Sequence, residues 1–206
     1  MALKTRVKVS EVNNLHDGRY CAGMGVEMIG FPLDASHPNF VDADKFKEIA
    51  SWLAGISFVA EVNESADIDF GTYEAIDYIQ TSNVSLLSTL KAQDLPLIFK
   101  VDVSASATKE ELEAQMRTIS TDVSFFLLES SDRSLDSETI EMLSALAKEY
   151  DIFVGFGLDK DNVSEIIDQI NPAGIGLIGG GEIKVGLNDF DELADILEEI
   201  DTDEFA

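Results

Sequence analysis

The sequence is poor in the residues that build disulfides, zinc sites and nucleic-acid interfaces. It has one cysteine, Cys21, and two histidines, which excludes an internal disulfide, a multi-cysteine metal site and a histidine-rich zinc site. We therefore expect no metal and no cofactor. Basic residues are also scarce, because 14 Lys and Arg stand against 40 Asp and Glu, for a formal net charge of -26. This excess of negative charge opposes binding to nucleic acid and to anionic membranes.

Long apolar segments and flexible linkers are missing as well. No run approaches the ~20 apolar residues of a membrane span, and the N-terminus lacks the apolar core of a signal peptide. We therefore expect a cytoplasmic protein. The lack of a Gly-, Ser- or Pro-rich linker predicts one domain over residues 1–206, with an acidic tail from about residue 201. Hydrophobic residues make up 45% of the chain, which is enough for a sizeable core.

The apolar residues recur in a repeated strand–helix pattern. Eight short runs rich in Val, Ile and Phe alternate with longer amphipathic segments, which predicts an α/β protein and, specifically, a (β/α)8 TIM barrel. A doubly wound open sheet is the alternative, because periodicity does not show whether a sheet closes. The predicted strands are residues 6–9, 26–31, 56–62, 78–80, 96–103, 123–129, 152–155 and 174–178. The predicted helices are residues 16–24, 43–53, 70–76, 84–93, 109–119, 137–150, 162–170 and 190–200.

Glycines cluster where the last two predicted strands end. Gly157 and Leu158 follow strand seven, and Gly179, Gly180 and Gly181 follow strand eight. In barrels, the loops after strands seven and eight often form a phosphate site. Backbone N–H groups beside a helix N-terminus attract an anion without any basic side chain, even in an acidic protein. These loops are therefore candidates for a phosphate site; the alternative is that the glycines only form tight turns.

Six polar or charged side chains are predicted on the inward faces of the strands, near their carboxyl ends. They are Lys8, Ser10, Glu61, Lys100, Asp102 and Glu129. Burial and mutual pairing would shift their pKa values, as acid–base catalysis requires. The alternative is an inert network of salt bridges that fills the barrel. Cys21 lies on the first predicted helix, where a small buried residue is favoured over a displaced nucleophile.

Several stretches together carry a family resemblance. Residues 157–163, Gly-Leu-Asp-Lys-Asp-Asn-Val, resemble a Gly-Gly-Leu…Asn-Val phosphate loop. Residues 180–189, Gly-Gly-Glu-Ile-Lys-Val-Gly-Leu-Asn-Asp, keep the spacing of a Ser-Gly-Val-Glu…Pro-Gly-x-Lys-Asp stretch, and residues 17–31 are similar to the same family's first helix and second strand. The family is phosphoribosylanthranilate isomerase, and the resemblance covers nearly the whole chain.

This resemblance implies a small barrel that performs an Amadori rearrangement on a phosphorylated small molecule in tryptophan biosynthesis. It places Ser10 where the family has the cysteine whose thiolate abstracts the substrate proton, and Glu129 where the family has an aspartate general acid. Lys8 corresponds to the lysine two residues before that cysteine. Ser10 and Glu129 therefore depart from the family at the catalytic positions.

Further departures fall where the family contacts its substrate. Asn39 stands in place of an arginine, Gln80 begins Gln-Thr-Ser-Asn in place of Gln-Leu-His-Gly, and Asp102 falls near the position of a strand-five arginine, beside Lys100. A serine hydroxyl is a poor general base at neutral pH. We therefore expect an isomerase-like barrel with a phosphate site and reduced or altered activity. The alternatives are different chemistry on a phosphorylated sugar or related metabolite, and a catalytically inactive barrel that binds a phosphorylated ligand.

Overall fold

Eight parallel strands close into a barrel in sequence order. The structure is a computed structural model that describes residues 2–179, 182–184, 187–188 and 191–202. Closure occurs where β8 pairs with β1 along the whole of β1, so the predicted (β/α)8 barrel is confirmed and the open sheet is wrong. The strands are β1 Arg6–Ser10, β2 Met28–Pro32, β3 Ser57–Glu61, β4 Ile76–Thr81, β5 Leu97–Asp102, β6 Phe125–Glu129, β7 Ile152–Val154 and β8 Gly174–Ile178.

Helices cover the outside of the barrel and bury one apolar stripe each. In α5, Leu143 and Leu146 are buried and Ile140 packs against the same core, as the i, i+3, i+6 spacing predicts. Helix α4 begins with the predicted capping box between Thr108 and Glu111. The helices are α1 Leu15–Gly23, α2 Ala43–Ala50, α3 Leu87–Leu90, α4 Lys109–Ile119, α5 Ser137–Leu146, α6 Val163–Ile170 and α7 Asp191–Glu199. None of the helices in the described part of the chain has the length and apolarity needed to cross a bilayer.

The predicted helix over residues 70–76 is wrong. The chain forms only the 3-10 turn Phe70–Thr72, and β4 already begins at Ile76. The Asp69 carboxylate accepts a hydrogen bond from the N–H of Gly71 at 3.0 Å, and such local side-chain bonds compete with helix formation. The predicted helix over residues 84–93 is likewise divided, because 3-10 turns flank α3 at residues 84–86 and 91–93. A short antiparallel pair, β9 Glu182–Lys184 and β10 Leu187–Asn188, was not predicted.

The barrel interior is filled by side chains up to the level of the strand ends. Phe125 and Phe153 stack with ring centroids 4.3 Å apart, in a buried cluster with apolar residues of β2, β3, β5 and β6. A Cβ on Gly174 would lie 2.5 Å from the Phe153 ring, and one on Gly176 would overlap Leu127. The alternating glycines of β8 therefore face inward and make room for these large side chains. The buried polar side chains Lys8, Ser10, Glu61 and Gln80 lie above this apolar layer, towards the carboxyl ends of the strands, where the candidate site lies.

Candidate ligand site at the carboxyl ends of the strands

A buried ion pair lies in the mouth of the barrel. Lys8 on β1 is fully buried, and its ammonium group donates to Oε1 of Glu61 at 2.6 Å and to Oγ of Ser10 at 2.7 Å. The other carboxylate oxygen of Glu61 accepts a hydrogen bond from the backbone N–H of Glu11 at 3.2 Å. Lys8 and Glu61 therefore neutralise each other, and the Ser10 oxygen faces a protonated amine.

Gly30 makes this ion pair possible. It lies on β2, between the strands that carry Lys8 and Glu61. A Cβ at this position would overlap the Glu61 carboxylate and would lie 2.9 Å from the Lys8 ammonium nitrogen. Only a glycine leaves room for the two side chains to meet across β2. Gly30 is a site residue that the sequence indicated only as part of the family resemblance.

A second, partly exposed ion pair joins Lys100 on β5 to Glu129 on β6. The Lys100 ammonium nitrogen lies 3.1 Å from Oε2 of Glu129. Burial lowers the pKa of Lys100, but the attraction and hydrogen bond of Glu129, helped by the charges of Glu61 and Glu11, outweigh this and raise it. Lys100 therefore stays protonated at neutral pH and is unsuited to act as a base or an amine nucleophile.

The two ion pairs border a small cavity, which we call the mouth cavity. Its volume is about 40 Å³. Gln80 lies 3% exposed in its wall, and its amide nitrogen approaches Oε1 of Glu61 at 3.5 Å, whereas its oxygen Oε1 has no hydrogen-bond partner among the described residues. The lining residues are Ser10, Glu11, Pro32, Asp34, His37, Glu61, Asn63, Gln80, Lys100 and Glu129.

Asn39 occupies the position of the family's arginine but carries no charge. Its amide nitrogen donates to Glu11 at 3.1 Å, and its oxygen accepts from the side chain of Asn13 at 3.0 Å, so both ends of the amide are engaged within the protein. Asp102 lies exposed at the end of β5 and is not among the residues that line the mouth cavity. The structure thus groups Lys8, Ser10, Glu61, Gln80, Lys100 and Glu129 and leaves Asp102 apart from them.

A larger cavity, which we call the loop cavity, lies at the ends of β7 and β8. Its volume is about 400 Å³. Gly157 adopts a φ of 66°, which a glycine tolerates without strain, and the loop is held by a 2.9 Å hydrogen bond from the Asn162 side chain to the Gly157 carbonyl. Within the described chain, the backbone N–H groups of Gly157 and Leu158 have no protein acceptor. The lining residues are Gly155, Phe156, Gly157, Leu158, Gly176, Leu177, Ile178, Gly179, Glu192, Leu193 and Ile196.

The predicted role of the glycines after β8, to offer N–H groups to a phosphate, does not fit Gly179. The N–H of Gly179 already donates to the Ser10 carbonyl at 2.8 Å, and a Cβ on Gly179 would lie 3.1 Å from that oxygen. Gly179 therefore ties the end of β8 to the end of β1 and has no free donor for an anion. Gly180 and Gly181 lie outside the described residues.

The mouth cavity and the loop cavity adjoin. Gly155 lines the loop cavity, and a Cβ on it would lie 3.1 Å from the Glu129 side chain, which lines the mouth cavity. The hydrogen bond between Gly179 and Ser10 joins the two linings at a second point. One extended ligand can therefore reach both cavities from the barrel's open end.

Cys21 is buried on α1, away from both cavities, as the sequence favoured. Burial raises the pKa of its thiol from 9.0 to about 12. We expect the native protein to resist an aromatic disulfide reagent at pH 8, and the guanidinium-unfolded chain to react with one thiol per chain. Because the folded thiol holds its proton to higher pH than the unfolded one, its contribution to stability should be lost as pH rises from 9 towards 12. Rapid labelling of the native protein at pH 8 would contradict the burial of Cys21 and the raised pKa of its thiol.

The fold and the site define a (β/α)8 barrel with a glycine-containing loop after β7 and a charged mouth. Residues 39–199 match the family model described as N-(5'phosphoribosyl)anthranilate (PRA) isomerase. An N-(5'-phosphoribosyl)anthranilate isomerase of Aquifex aeolicus is 24% identical over 204 residues, covering 93% of this chain and 96% of the relative. The chain belongs to the phosphoribosylanthranilate isomerase family, a barrel family of tryptophan biosynthesis.

Solved structures show the same fold. The phosphoribosylanthranilate isomerase of Thermotoga maritima superposes with a TM-score of 0.77 at 17% identity, covering 95% of this chain and 98% of that one. A structure of phosphoribosyl anthranilate isomerase in complex with reduced 1-(o-carboxyphenylamino)-1-deoxyribulose 5-phosphate superposes with a TM-score of 0.75 at 18% identity, with the same coverage. The family resemblance inferred from the sequence is confirmed.

Proposed function

We propose that this family member binds a phosphorylated small molecule across the strand ends and has little or no phosphoribosylanthranilate isomerase activity. The observation that carries this proposal is the pairing of Ser10 with the buried Lys8–Glu61 ion pair. A base at the position of Ser10 would have to accept a proton from the substrate. The Ser10 oxygen instead accepts a hydrogen bond from an ammonium group, which disfavours the uptake of a further proton.

The general acid position also departs from what the isomerisation needs. A carboxyl acid must hold a proton in order to donate it, and such groups are usually kept protonated by an apolar or anionic environment. Glu129 instead lies 3.1 Å from the Lys100 ammonium, so its close neighbour is a cation and not an apolar or anionic group. Lys100 itself remains protonated, which supports ligand binding over an alternative reaction that uses an amine nucleophile.

The loop cavity is the proposed phosphate site. The N–H groups of Gly157 and Leu158, which have no acceptor among the described residues, belong to the loop that leads into the N-terminus of α6, where the helix dipole favours a negative charge. The structure of a family member with a bound sugar-phosphate analogue supports a ligand of this class. Glu192 also lines the loop cavity, and its negative charge opposes an anion there.

Glu192 gives a test of the phosphate site. We expect Glu192→Gln to tighten the binding of inorganic phosphate by on the order of threefold or more, because a unit charge a few ångströms from the anion is removed. Isothermal titration calorimetry measures the change. The matched control is Glu199→Gln, which removes the same charge two turns further along α7 and should change the affinity less because salt screens the longer distance. Equal effects of both variants, or no phosphate binding at all, would contradict the assignment of the phosphate site to the loop cavity.

A further inference from the structure

We infer that the end of the ligand opposite the phosphate is a hydroxyl or ammonium group, so that the ligand is a phosphorylated polyol or amino-polyol and not a carboxylate. This inference rests on the proposed phosphate site and names the ligand class that the rest of the site fits. It departs from the ligand of the solved family complex, whose o-carboxyphenyl group carries a carboxylate.

The charge of the mouth cavity carries the first part of the argument. Among the described residues, four carboxylates and one lysine, Lys100, line it. The four carboxylates are Glu11, Asp34, Glu61 and Glu129. Lys8, behind the wall, pairs with Glu61, and Lys100 pairs with Glu129, so the other two carboxylates have no lysine partner among the described residues. A ligand carboxylate here would face repulsion, and Asn39, at the family's arginine position, offers no charge to offset it.

Gln80 carries the second part of the argument. It is almost fully buried, and its oxygen Oε1 lacks a partner among the described residues. The orientation of the amide is set by Glu61, because its nitrogen must face the carboxylate oxygen and its oxygen must point away. A buried acceptor left unpaired is costly, and a ligand group that donates a hydrogen bond removes that cost. Hydroxyl and ammonium groups donate, whereas a carboxylate does not.

The size of the mouth cavity sets the third condition. Its volume of about 40 Å³ fits a group of one or two heavy atoms. The mouth cavity therefore fits the terminal hydroxymethyl or aminomethyl group of a short chain whose phosphate lies in the loop cavity.

Three ligands that differ only at carbon 1 test the inference: ribitol 5-phosphate, 1-amino-1-deoxyribitol 5-phosphate and ribonate 5-phosphate. Isothermal titration calorimetry with the wild-type protein should give dissociation constants for the hydroxyl and amino compounds that are at least about tenfold lower than for the carboxylate, a difference of about 1.4 kcal/mol. A carboxylate compound that binds as tightly as the other two would overturn the inference, and this comparison needs no variant.

Gln80→Met then tests the acceptor, because methionine is similar in length and donates and accepts little. The variant should weaken ribitol 5-phosphate binding at least about fivefold and leave the affinity for inorganic phosphate unchanged, with thermal unfolding as the check that it is folded. Unchanged ribitol 5-phosphate binding in a folded variant would contradict the role of Gln80. If wild-type protein binds inorganic phosphate but does not distinguish the three compounds, only the inference fails. If it does not bind inorganic phosphate, the proposed function fails and the inference fails with it.

Discussion

Wild-type protein should isomerise phosphoribosylanthranilate at least about 100-fold more slowly than the Aquifex aeolicus relative in a parallel assay. General base catalysis contributes typically 10²–10⁴-fold to such a rate, and Ser10 is a poor base that already accepts a hydrogen bond from the Lys8 ammonium. Asn39, at the position of a family arginine, carries no charge and is engaged with Glu11 and Asn13, which we expect to add to the deficit. The comparison of kcat/KM for the two purified proteins measures the effect.

Variants at the two catalytic positions separate lost chemistry from lost binding. Ser10→Cys with Glu129→Asp should raise kcat above wild type, because the neighbouring Lys8 ammonium favours a thiolate at position 10. Ser10→Ala is the matched control and should leave any residual activity unchanged. A loss of activity in Ser10→Ala would show that the hydroxyl takes part in the reaction. Wild-type turnover equal to that of the relative would contradict the proposal.

Removal of one partner of the buried ion pair should produce the largest loss of stability. Glu61→Gln leaves the fully buried Lys8 ammonium without a counter-charge, and we expect the free energy of unfolding to fall by about 3–5 kcal/mol. The double variant Lys8→Met with Glu61→Leu removes both charges and should lie much closer to wild type. Urea unfolding followed by circular dichroism measures all three proteins.

The pair formed by Lys100 and Glu129 provides the control for this effect. Both side chains are partly exposed, so water screens the charge that is left when one partner is removed. Glu129→Gln should therefore cost no more than about 1 kcal/mol. If Glu61→Gln costs as little as Glu129→Gln, then water reaches Lys8, and the Lys8–Glu61 pair does not behave as the buried ion pair described above.

The barrel could be predicted from the sequence because each strand–helix unit carries its own hydrophobic pattern. Strands buried on both sides read as apolar runs, and the stripe of Leu143 and Leu146 on α5 marks a helix packed on the sheet. The pattern failed between β3 and β4, where the Asp69–Gly71 hydrogen bond holds a turn in a segment of mixed polarity. Local side-chain bonds of this kind leave no periodic signal.

The site could be predicted as a set of facing side chains but not as a set of contacts. The two-residue period placed Lys8, Glu61 and Lys100 on inward faces, yet which charge pairs with which depends on barrel register and on side-chain length. The same period grouped Asp102 with them, although this residue lies exposed beyond the end of the cavity. The role of Gly30 follows only from the path of Lys8 across β2, which no single stretch of sequence shows.

The loop after β7 lies at the strand end where the sequence predicts it. In the loop after β8, the N–H of Gly179 is bonded within the protein and is not free for an anion. Gly157 and Leu158 line the loop cavity, and the binding of an anion by their N–H groups stays a prediction. The N–H of Gly179 is used by the Ser10 carbonyl, a contact between chain segments about as far apart in sequence as the barrel allows. The proposal that phosphate binds here therefore rests on the loop after β7.

Complementation of a tryptophan auxotroph that lacks phosphoribosylanthranilate isomerase tests most directly the claim that this barrel has kept the family fold and lost the family reaction. The gene should be expressed beside that of the Aquifex aeolicus relative, with immunoblots to show equal amounts of each protein in the cleared lysate. We expect the relative to restore growth without tryptophan and this protein to leave the cells unable to grow. Growth at the rate given by the relative would contradict the claim.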